Sequence, residues 1–382
     1  MSAMKILFLV YHGFSEVSGI SKKIHNQVKG LRQNGYEVRL CYYTFAPDGH
    51  RCRYVDNEVL ADFGMGALAG LRQRISYGSI YDYCLREGIS LVYARSFQNA
   101  NPWLVRLFAR LRKAGIHAVT EIPTYPYDAE FVGFPLATRL GLKVDQLFRR
   151  KLSQQMDAIV TFSDAEEIFG QRTIRISNGV DFDSIPLHRY FRVDDEIHLV
   201  GVAEVHYWHG FDRLIAGLGE YYRTAKNPRK VIFDIVGGVA DSEMHDSIHA
   251  RGFAELIAEY GIADKVVFHG QLFGQQLDDV FNGSRFAIGS LARHRSGITN
   301  IKTLKNREYA TRGIPFVYSE QDTDFDDKPY VLRVPADESP IDITCILDFI
   351  DHNQFDATAI RASVQDLSWK NQMQKVVEAI SL

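Results

Sequence analysis

Several things are scarce in this chain of 382 residues. Cysteine is one. Cys41, Cys52, Cys84 and Cys345 lie far apart, with no CxxC pair, which favours reduced thiols in a cytosolic protein over a disulfide framework or a zinc site. Charge of one sign is another. A formal net charge of −3 argues against a general nucleic-acid binder, which needs a strong excess of cations. Long apolar runs are missing too. The opening MSAMKILFLVYHG holds an apolar run of only about five residues, too short to span a membrane. It also lacks the small-residue cleavage site of a secretory signal, and it reads as a buried first strand. No low-complexity segment and no short solenoid period is visible.

What is present describes a soluble globular protein: 46% hydrophobic and 24% charged residues, in a chain long enough for two domains of ordinary size. Apolar, β-rich runs alternate with helical patterns. KILFLVY (5–11), YEVRLCYY (36–43), SLVYAR (90–95), HAVTEI (117–122), DAIVTF (157–162) and TIRIS (173–177) read as strands. A helix over 20–35 puts Ile20, Ile24, Val28 and Leu31 on one face, and further helices fall near 101–114 and 135–155. A second series begins near residue 196, with EIHLVGVA (196–203), KVIFDIVG (230–237), KVVFHG (265–270), RFAIGS (285–290) and PFVY (315–318). Helices near 210–224, 242–260, 274–282 and 299–312 lie between them. Short, nearly all-apolar strands in repeated βα units imply parallel sheets covered on both faces. The irregular 178–195 reads as a linker between two doubly wound domains. Residues 367–382 form an amphipathic helix with Trp369, Met373, Val376 and Ile380 on one side.

In open α/β sheets ligands bind beyond the carboxyl ends of the strands, so the loops there are where chemistry is expected. Ser296, Gly297, Thr299 and Asn300 suit a loop feeding the N-cap of the 299–312 helix, whose unpaired first-turn amides attract anions. Lys305 and Glu308 stand three apart on one face of that helix. They are either an ordinary surface ion pair or a division of labour, with cations on phosphate and the carboxylate accepting from hydroxyls. Arg293, His294 and Arg295 precede the same site as either a solvated loop or further anion contacts. His206, His209 and Arg213 follow the strand at 196–203; the histidine spacing lacks a third metal ligand, and His209 or Arg213 can meet a phosphate. Gly237, in IVGGVAD, is read as a tight turn or as a close backbone approach to a ligand. Neither this loop nor YHGFSEVSGIS (11–21) has the GxGxxG dinucleotide pattern. TEIPTYPYDAEF (120–131) gathers Glu121, Tyr125, Tyr127, Asp128 and Glu130 among two prolines. These suit the apolar faces and hydroxyl edges of a sugar, or simply pack a core.

These pieces resemble the GT-B fold glycosyltransferases, most closely the large retaining group called family 4. The likeness spans nearly the whole chain. It is carried by the Gly19 loop, SNGVD (177–181), GVAEVHYWHGFDRLI (201–215), VVFHG (266–270), LKNREYATRGIPFV (304–317) and the Trp369 helix. It implies two Rossmann-like domains facing a cleft: an acceptor-binding domain over 1–185, a nucleotide-sugar domain over 186–365, and a final helix, 366–382, crossing back to the first. Glu308 matches the second glutamate of the family's E-x7-E motif, which holds the nucleotide ribose. Gly297, Ile298, Thr299 and Asn300 would line the diphosphate and donor sugar, Gln271 and Leu272 the base, and Gly19 and Gly237 would approach the donor. Asn300 replaces the first motif glutamate, which leaves donor choice open. The family's Arg…Lys pair is altered as well, with Val202 or Ala203 and His209 in its places, so Lys305, Arg293, Arg295 and His209 are the candidates to meet phosphate charge. Of these, Lys305 and His209 are the candidate catalytic groups. Glu121, Tyr125 and Tyr127 are the candidate acceptor contacts.

The activity implied is transfer of a hexose from a UDP- or GDP-sugar to a glycan or lipid-linked acceptor, with retention and without a cofactor. No DxD motif precedes an acceptor-like loop, so no essential metal is expected. The basic, apolar-interleaved segment 139–152 would either rest on an anionic membrane surface or pack its apolar side. A cytoplasmic protein, peripheral to the inner face of a membrane and acting in polysaccharide assembly, is the expected setting. A non-catalytic GT-B protein that binds a nucleotide sugar or a partner enzyme is the rival expectation.

Overall fold

The computed structural model describes residues 4–15, 19–95, 99–128, 135–191, 195–298 and 300–380. The chain divides into two compact units, residues 1–179 with 368–382, and residues 180–367. In chain order the first contains β1 (Lys5–Val10), α1 (Gly19–Gln33), β2 (Glu37–Phe45), β3 (Arg51–Val55), β4 (Glu58–Asp62), α2 (Gly66–Ile75) and α3 (Gly78–Glu87). It continues with β5 (Leu91–Arg95), α4 (Pro102–Lys113), β6 (His117–Ile122), α5 (Leu136–Ser153), β7 (Ala158–Thr161), β8 (Glu167–Ile168) and β9 (Gln171–Arg175). The second contains β10 (Ile197–Val202), α6 (Phe211–Thr224), β11 (Val231–Val236), α7 (Asp241–Met244), α8 (Phe253–Tyr260), β12 (Val266–Gly270), α9 (Gln275–Gly283) and β13 (Phe286–Ile288). Then follow α10 (Leu304–Arg312), β14 (Phe316–Tyr318), β15 (Val331–Arg333), α11 (Ile343–His352) and α12 (Ala357–Ala362). The last helix, α13 (Trp369–Glu378), belongs to the first unit.

In the first unit the strand order is β4-β3-β2-β1-β5-β6-β7-β9-β8. Its centre is parallel and apolar because helices cover both faces, and β1 (KILFLV) buries Ile6 through Val10 completely. On one face α1 and α13 enclose Phe8, Val28, Trp369, Met373 and Val376. On the other, α3, α4 and α5 close over Leu7, Val92, Leu107, Phe108 and Leu152. Asn101 caps α4 by accepting from Leu104 N at 2.9 Å, and Pro102 opens the helix.

The expectation of a purely parallel sheet fails at both edges of this unit. β2, β3 and β4 pair antiparallel, as do β8 and β9. The β3–β4 hairpin escapes a reading by apolar runs because Arg51, Arg53, Glu58 and Asp62 punctuate it. Arg53 is nevertheless fully buried, hydrogen-bonded to Tyr43 Oη, Ser79 Oγ and the Ser76 carbonyl.

The second unit is parallel throughout, in the order β12-β11-β10-β13-β14-β15. Two helices depart from expectation. The 242–260 pattern is broken into α7 and α8, because Asp246 turns back to accept from Gly252 N at 2.7 Å. The 299–312 helix begins only at Leu304. Before it, Asn300 bridges Gln321 in parallel fashion and Ile301 N donates to the Gln321 carbonyl at 3.0 Å, which keeps the chain extended.

Gly179 shows how tightly α13 is seated in the first unit. A Cβ there would lie 2.4 Å from the Trp369 indole. Gly179→Ala is therefore expected to cost about 1–3 kcal/mol through overpacking. Urea denaturation reads this directly, and an unchanged midpoint contradicts it.

Candidate functional site in the second unit

β10 and β13 are neighbours in the second sheet, but the chain leaves them in opposite directions, β10 toward β11 and β13 toward β14. This is a topological switch point, where the loops diverge and leave room for a ligand. The divergence also frees backbone groups at the strand ends. The Tyr309 hydroxyl, brought in by α10, takes up two of them: it accepts from Val202 N at 3.2 Å and donates to the Ile288 carbonyl at 3.0 Å. Burial keeps this hydroxyl protonated by pushing its pKa above the usual phenol value.

The loops after β10 and β13 are tied together just beyond. Leu291 N donates to the His209 carbonyl at 2.8 Å. Arg295 donates twice to Asp212, at 2.9 and 2.8 Å, once to the Tyr207 carbonyl at 2.8 Å, and to Glu338. Arg213 reaches the Leu291 carbonyl, the Ser339 carbonyl and Asp337. Gly210, at φ 68°, allows the approach, since a Cβ would sit 2.8 Å from Ala292 Cβ. Gly237, at φ 129°, does the same between the β11 and β10 loops; a Cβ there would lie 1.7 Å from the Ala203 carbonyl oxygen.

Around this frame lies a set of buried polar atoms with no hydrogen-bond partner among the described residues: Ser290 Oγ, Thr303 Oγ1, Lys305 Nζ, Asn306 Oδ1 and Glu320 Oε2. Native interiors leave few such atoms, and a cluster marks a place where other polar groups belong. Lys305 stands in the first turn of α10, its ammonium 5.8 Å from the centre of the Phe211 ring. Burial lowers its pKa, and the neighbouring Arg293 charge lowers it further, against the opposing Glu320. Glu320, which follows β14 and is 1% exposed, is pushed the other way, mainly by burial. His209 is buried, and its Nδ1 accepts from His206 N at 3.0 Å, which places the proton of the neutral ring on Nε2. Burial, then Lys305, Arg293 and His206, hold its pKa well below the ordinary histidine value, so the ring is an uncharged donor at neutral pH.

The site thus presents an unpartnered ammonium, a second cation in Arg293, an N–H donor on His209 and the open first turn of α10. Chemically such an arrangement suits an anion. It differs from the expected one in position: Gly297, Ile298 and Asn300 precede the helix rather than capping it, and Thr303 is the N-cap. Thr299 lies outside the described residues. Gly297, at φ 70°, ends the short 3-10 turn Arg293–Ser296.

Other predicted residues fall as follows. Arg295 has its charge met by Asp212 and Glu338 and serves as a loop brace. Glu308, on α10, takes two contacts from Arg312 on Oε1, at 3.0 and 2.9 Å, while its Oε2 accepts no hydrogen bond among the described residues. Gln271 is exposed and Leu272 packs at the edge of the Val236–Phe281 cluster, both after β12. Gly19, in the first unit, opens α1 and is exposed.

Two of the three acceptor candidates, Glu121 and Tyr127, are enclosed, while Tyr125 is half-buried. Glu121 is fully buried, accepting from Gln27 and Tyr93 at 2.6 Å each and from Arg95 at 3.1 Å, with Lys23 Nζ at 3.8 Å. Tyr127 is buried and donates to Asp145 at 2.6 Å. Tyr125 packs edge-on against Phe169. These are packing and charge-burial roles, so the side chains of Glu121 and Tyr127 have no surface left for a sugar.

Sequence reasoning missed Tyr309, Arg307 and Glu320. Arg307 is fully buried and bidentate to Asp322, at 2.5 and 2.9 Å, and it also meets Asp324. The signal was the acid-rich SEQDTDFDD run directly after PFVY.

Comparison with known proteins gives the fold a setting. No protein-family model matches the chain, and no curated protein matches it. Among solved structures, the catalytic domain of starch synthase IV from Arabidopsis thaliana, bound to ADP and acarbose, is similar over 100% of this chain and 99% of that one, with a TM-score of 0.61 and 12% identity. The pneumococcal O-GlcNAc transferase GtfA, in complex with UDP and GlcNAc, is similar over 100% and 99%, with a TM-score of 0.58 and 9% identity. A sucrose-phosphate synthase from Thermosynechococcus elongatus is similar over 100% and 94%, with a TM-score of 0.53 and 14% identity. The chain therefore shares the α/β fold of these GT-B proteins, with two Rossmann-like domains.

Tyr309→Phe removes the hydroxyl that satisfies both strand ends. It is expected to lower unfolding free energy by about 1–3 kcal/mol, with the far-ultraviolet dichroism spectrum retained. A denaturant midpoint equal to that of the unchanged protein contradicts this role.

Proposed function

We propose that the chain is a glycosyltransferase that moves a hexose from a UDP- or GDP-sugar to a glycan or lipid-linked acceptor, with retention, in assembly of a cell-surface polysaccharide. The observation that carries this reading is the unpartnered, buried Lys305 ammonium at the switch point of a sheet whose fold is that of nucleotide-sugar enzymes. A diphosphate supplies the oxygens that Lys305 Nζ lacks among the described residues, within reach of the Arg293 charge and the His209 ring. As the glycosidic bond to phosphate breaks, negative charge grows on the leaving diphosphate. Fixed donors in a low-dielectric site stabilise that charge more than they stabilise the ground state. Lys305 and His209 are thus the groups assigned to the leaving group. Glu308 Oε2 accepts from a ribose hydroxyl, with Arg312 holding the carboxylate by its other oxygen. Gly237 allows the β11 loop to approach the donor, Gln271 and Leu272 border the base, and the 297–300 segment borders the donor sugar. Arg295 acts by bracing the loop that carries Arg293.

One feature favours a second reading, a non-catalytic nucleotide-sugar binder. Asn300 stands where the family's sugar-contacting glutamate is expected, and its backbone is bridged to Gln321. Turnover of a donor in the presence of acceptors separates the two.

Two outcomes are expected in calorimetric titration with UDP and GDP. Glu308→Ala weakens binding of the preferred nucleotide by about 1–3 kcal/mol. Binding also takes up protons. The pKa of Lys305 is depressed in the free protein and rises beside phosphate, so between those two values complex formation protonates the amine, and affinity falls as pH rises through the bound value. The binding enthalpy will then depend on the buffer's ionisation enthalpy, and Lys305→Met will remove most of that dependence. If neither nucleotide binds, the donor site is not where we put it.

A further inference from the structure

One face of the first unit carries a surface that the sugar-nucleotide chemistry does not use. α5 turns Leu142, Asp145 and Leu152 inward. It turns Leu136, Leu140, Val144 and Leu147 outward, at 69, 58, 42 and 71% exposure. Steps of four, four and three residues align these side chains in one stripe. Arg139, Lys143, Arg150 and Lys151 on the same helix are exposed. No acid opposes them from α5, whose single carboxylate, Asp145, is buried and bonded to Tyr127 Oη at 2.6 Å and Ala100 N at 3.0 Å.

The surface extends to the neighbouring helices. The Ala100–Asp145 bond and a 3.0 Å bond from Arg112 to the Gln154 carbonyl hold α4 alongside α5. α4 exposes Trp103, and α2, which touches α4, exposes Leu68 and Leu71. α2, α4 and α5 carry two, four and five Lys or Arg, and α2 and α4 contain no acid at all. The whole chain, by contrast, has 44 Lys and Arg against 47 Asp and Glu. Cation excess and exposed apolar side chains are therefore concentrated on three neighbouring helices.

We propose that this face docks on an anionic phospholipid surface. Such a bilayer meets both properties together. The leucine stripe enters the headgroup–acyl boundary, and the flanking Lys and Arg reach lipid phosphates with their stems along the apolar edge. A second copy of the chain fits poorly, because an isologous contact sets cation against cation. Nucleic acid answers the charge but leaves the leucines uncovered. The proposal reaches beyond the α5 segment to α4 and α2, and it does not rest on the sugar-nucleotide reading.

The test is co-sedimentation of the full chain with vesicles of phosphatidylcholine alone or mixed with phosphatidylglycerol. Binding to the mixed vesicles is expected, with little to phosphatidylcholine. The Leu140→Glu/Leu147→Glu and Lys143→Glu/Arg150→Glu pairs should each reduce the partition coefficient by on the order of tenfold or more. Their melting temperatures should be unchanged, because the substituted side chains are exposed. Three results overturn the proposal: failure to bind mixed vesicles, full binding by both double variants, or a vesicle-indifferent dimer that the Leu140→Glu/Leu147→Glu pair converts to monomer.

Discussion

The second unit depends on the Tyr309 hydroxyl. A parallel sheet that changes direction between two adjacent strands must let their ends part, and the freed amide and carbonyl would otherwise be buried unpaired. Tyr309 meets both from a helix that follows the second of those strands. The same bond fixes α10 over the divergence, so the helix that closes the switch point also presents Lys305 and Glu308 beside it. Architecture and candidate chemistry share one helix, LKNREYATR, which ends at Gly313 with φ 82° because a Cβ would meet the Ala357 carbonyl oxygen at 2.3 Å.

The cations near this site divide by partner. Arg295 and Arg307 are each bidentate to an aspartate and held by further acceptors. Buried pairs of this kind resist the loss of either member. Arg295 binds the β13 loop to the start of α6, and Arg307 binds the first turn of α10 to the loop that carries Glu320. Lys305 is different: its side chain is half-buried, its Nζ is enclosed, and that atom has no acceptor among the described residues. The two arginines brace the loops, and Lys305 and Arg293 are the cations our reading assigns to the ligand.

Much of the fold was legible because parallel strands covered on both faces must be apolar along their whole length. HAVTEI and PFVY, for example, stand out without reference to anything else. The β3–β4 hairpin was not legible because its buried arginine, Arg53, finds its partners in Tyr43, Ser76 and Ser79, a relation invisible along the chain. The site was partly legible. Lys305 and Glu308 announce themselves by spacing, but the helix start could not be placed, because the bridge between Asn300 and Gln321 joins distant residues. Glu121 misled for the opposite reason. A carboxylate at the end of a strand looks like a ligand contact, and only the convergence of Lys23, Gln27, Tyr93 and Arg95 shows that its charge is met inside.

In the reading proposed above, the altered Arg…Lys pair after β10 has a physical counterpart. Positive charge comes from the α10 side, through Lys305, and from Arg293, while His209 remains as a neutral donor. Glu320 would repel an anion if ionised, yet burial favours its protonated form and disfavours the Lys305 ammonium. An arriving phosphate reverses only the second preference: it draws a proton onto Lys305 and keeps one on Glu320. A site built this way holds the permanent charge of Arg293 and adds that of Lys305 when its ligand supplies the compensation.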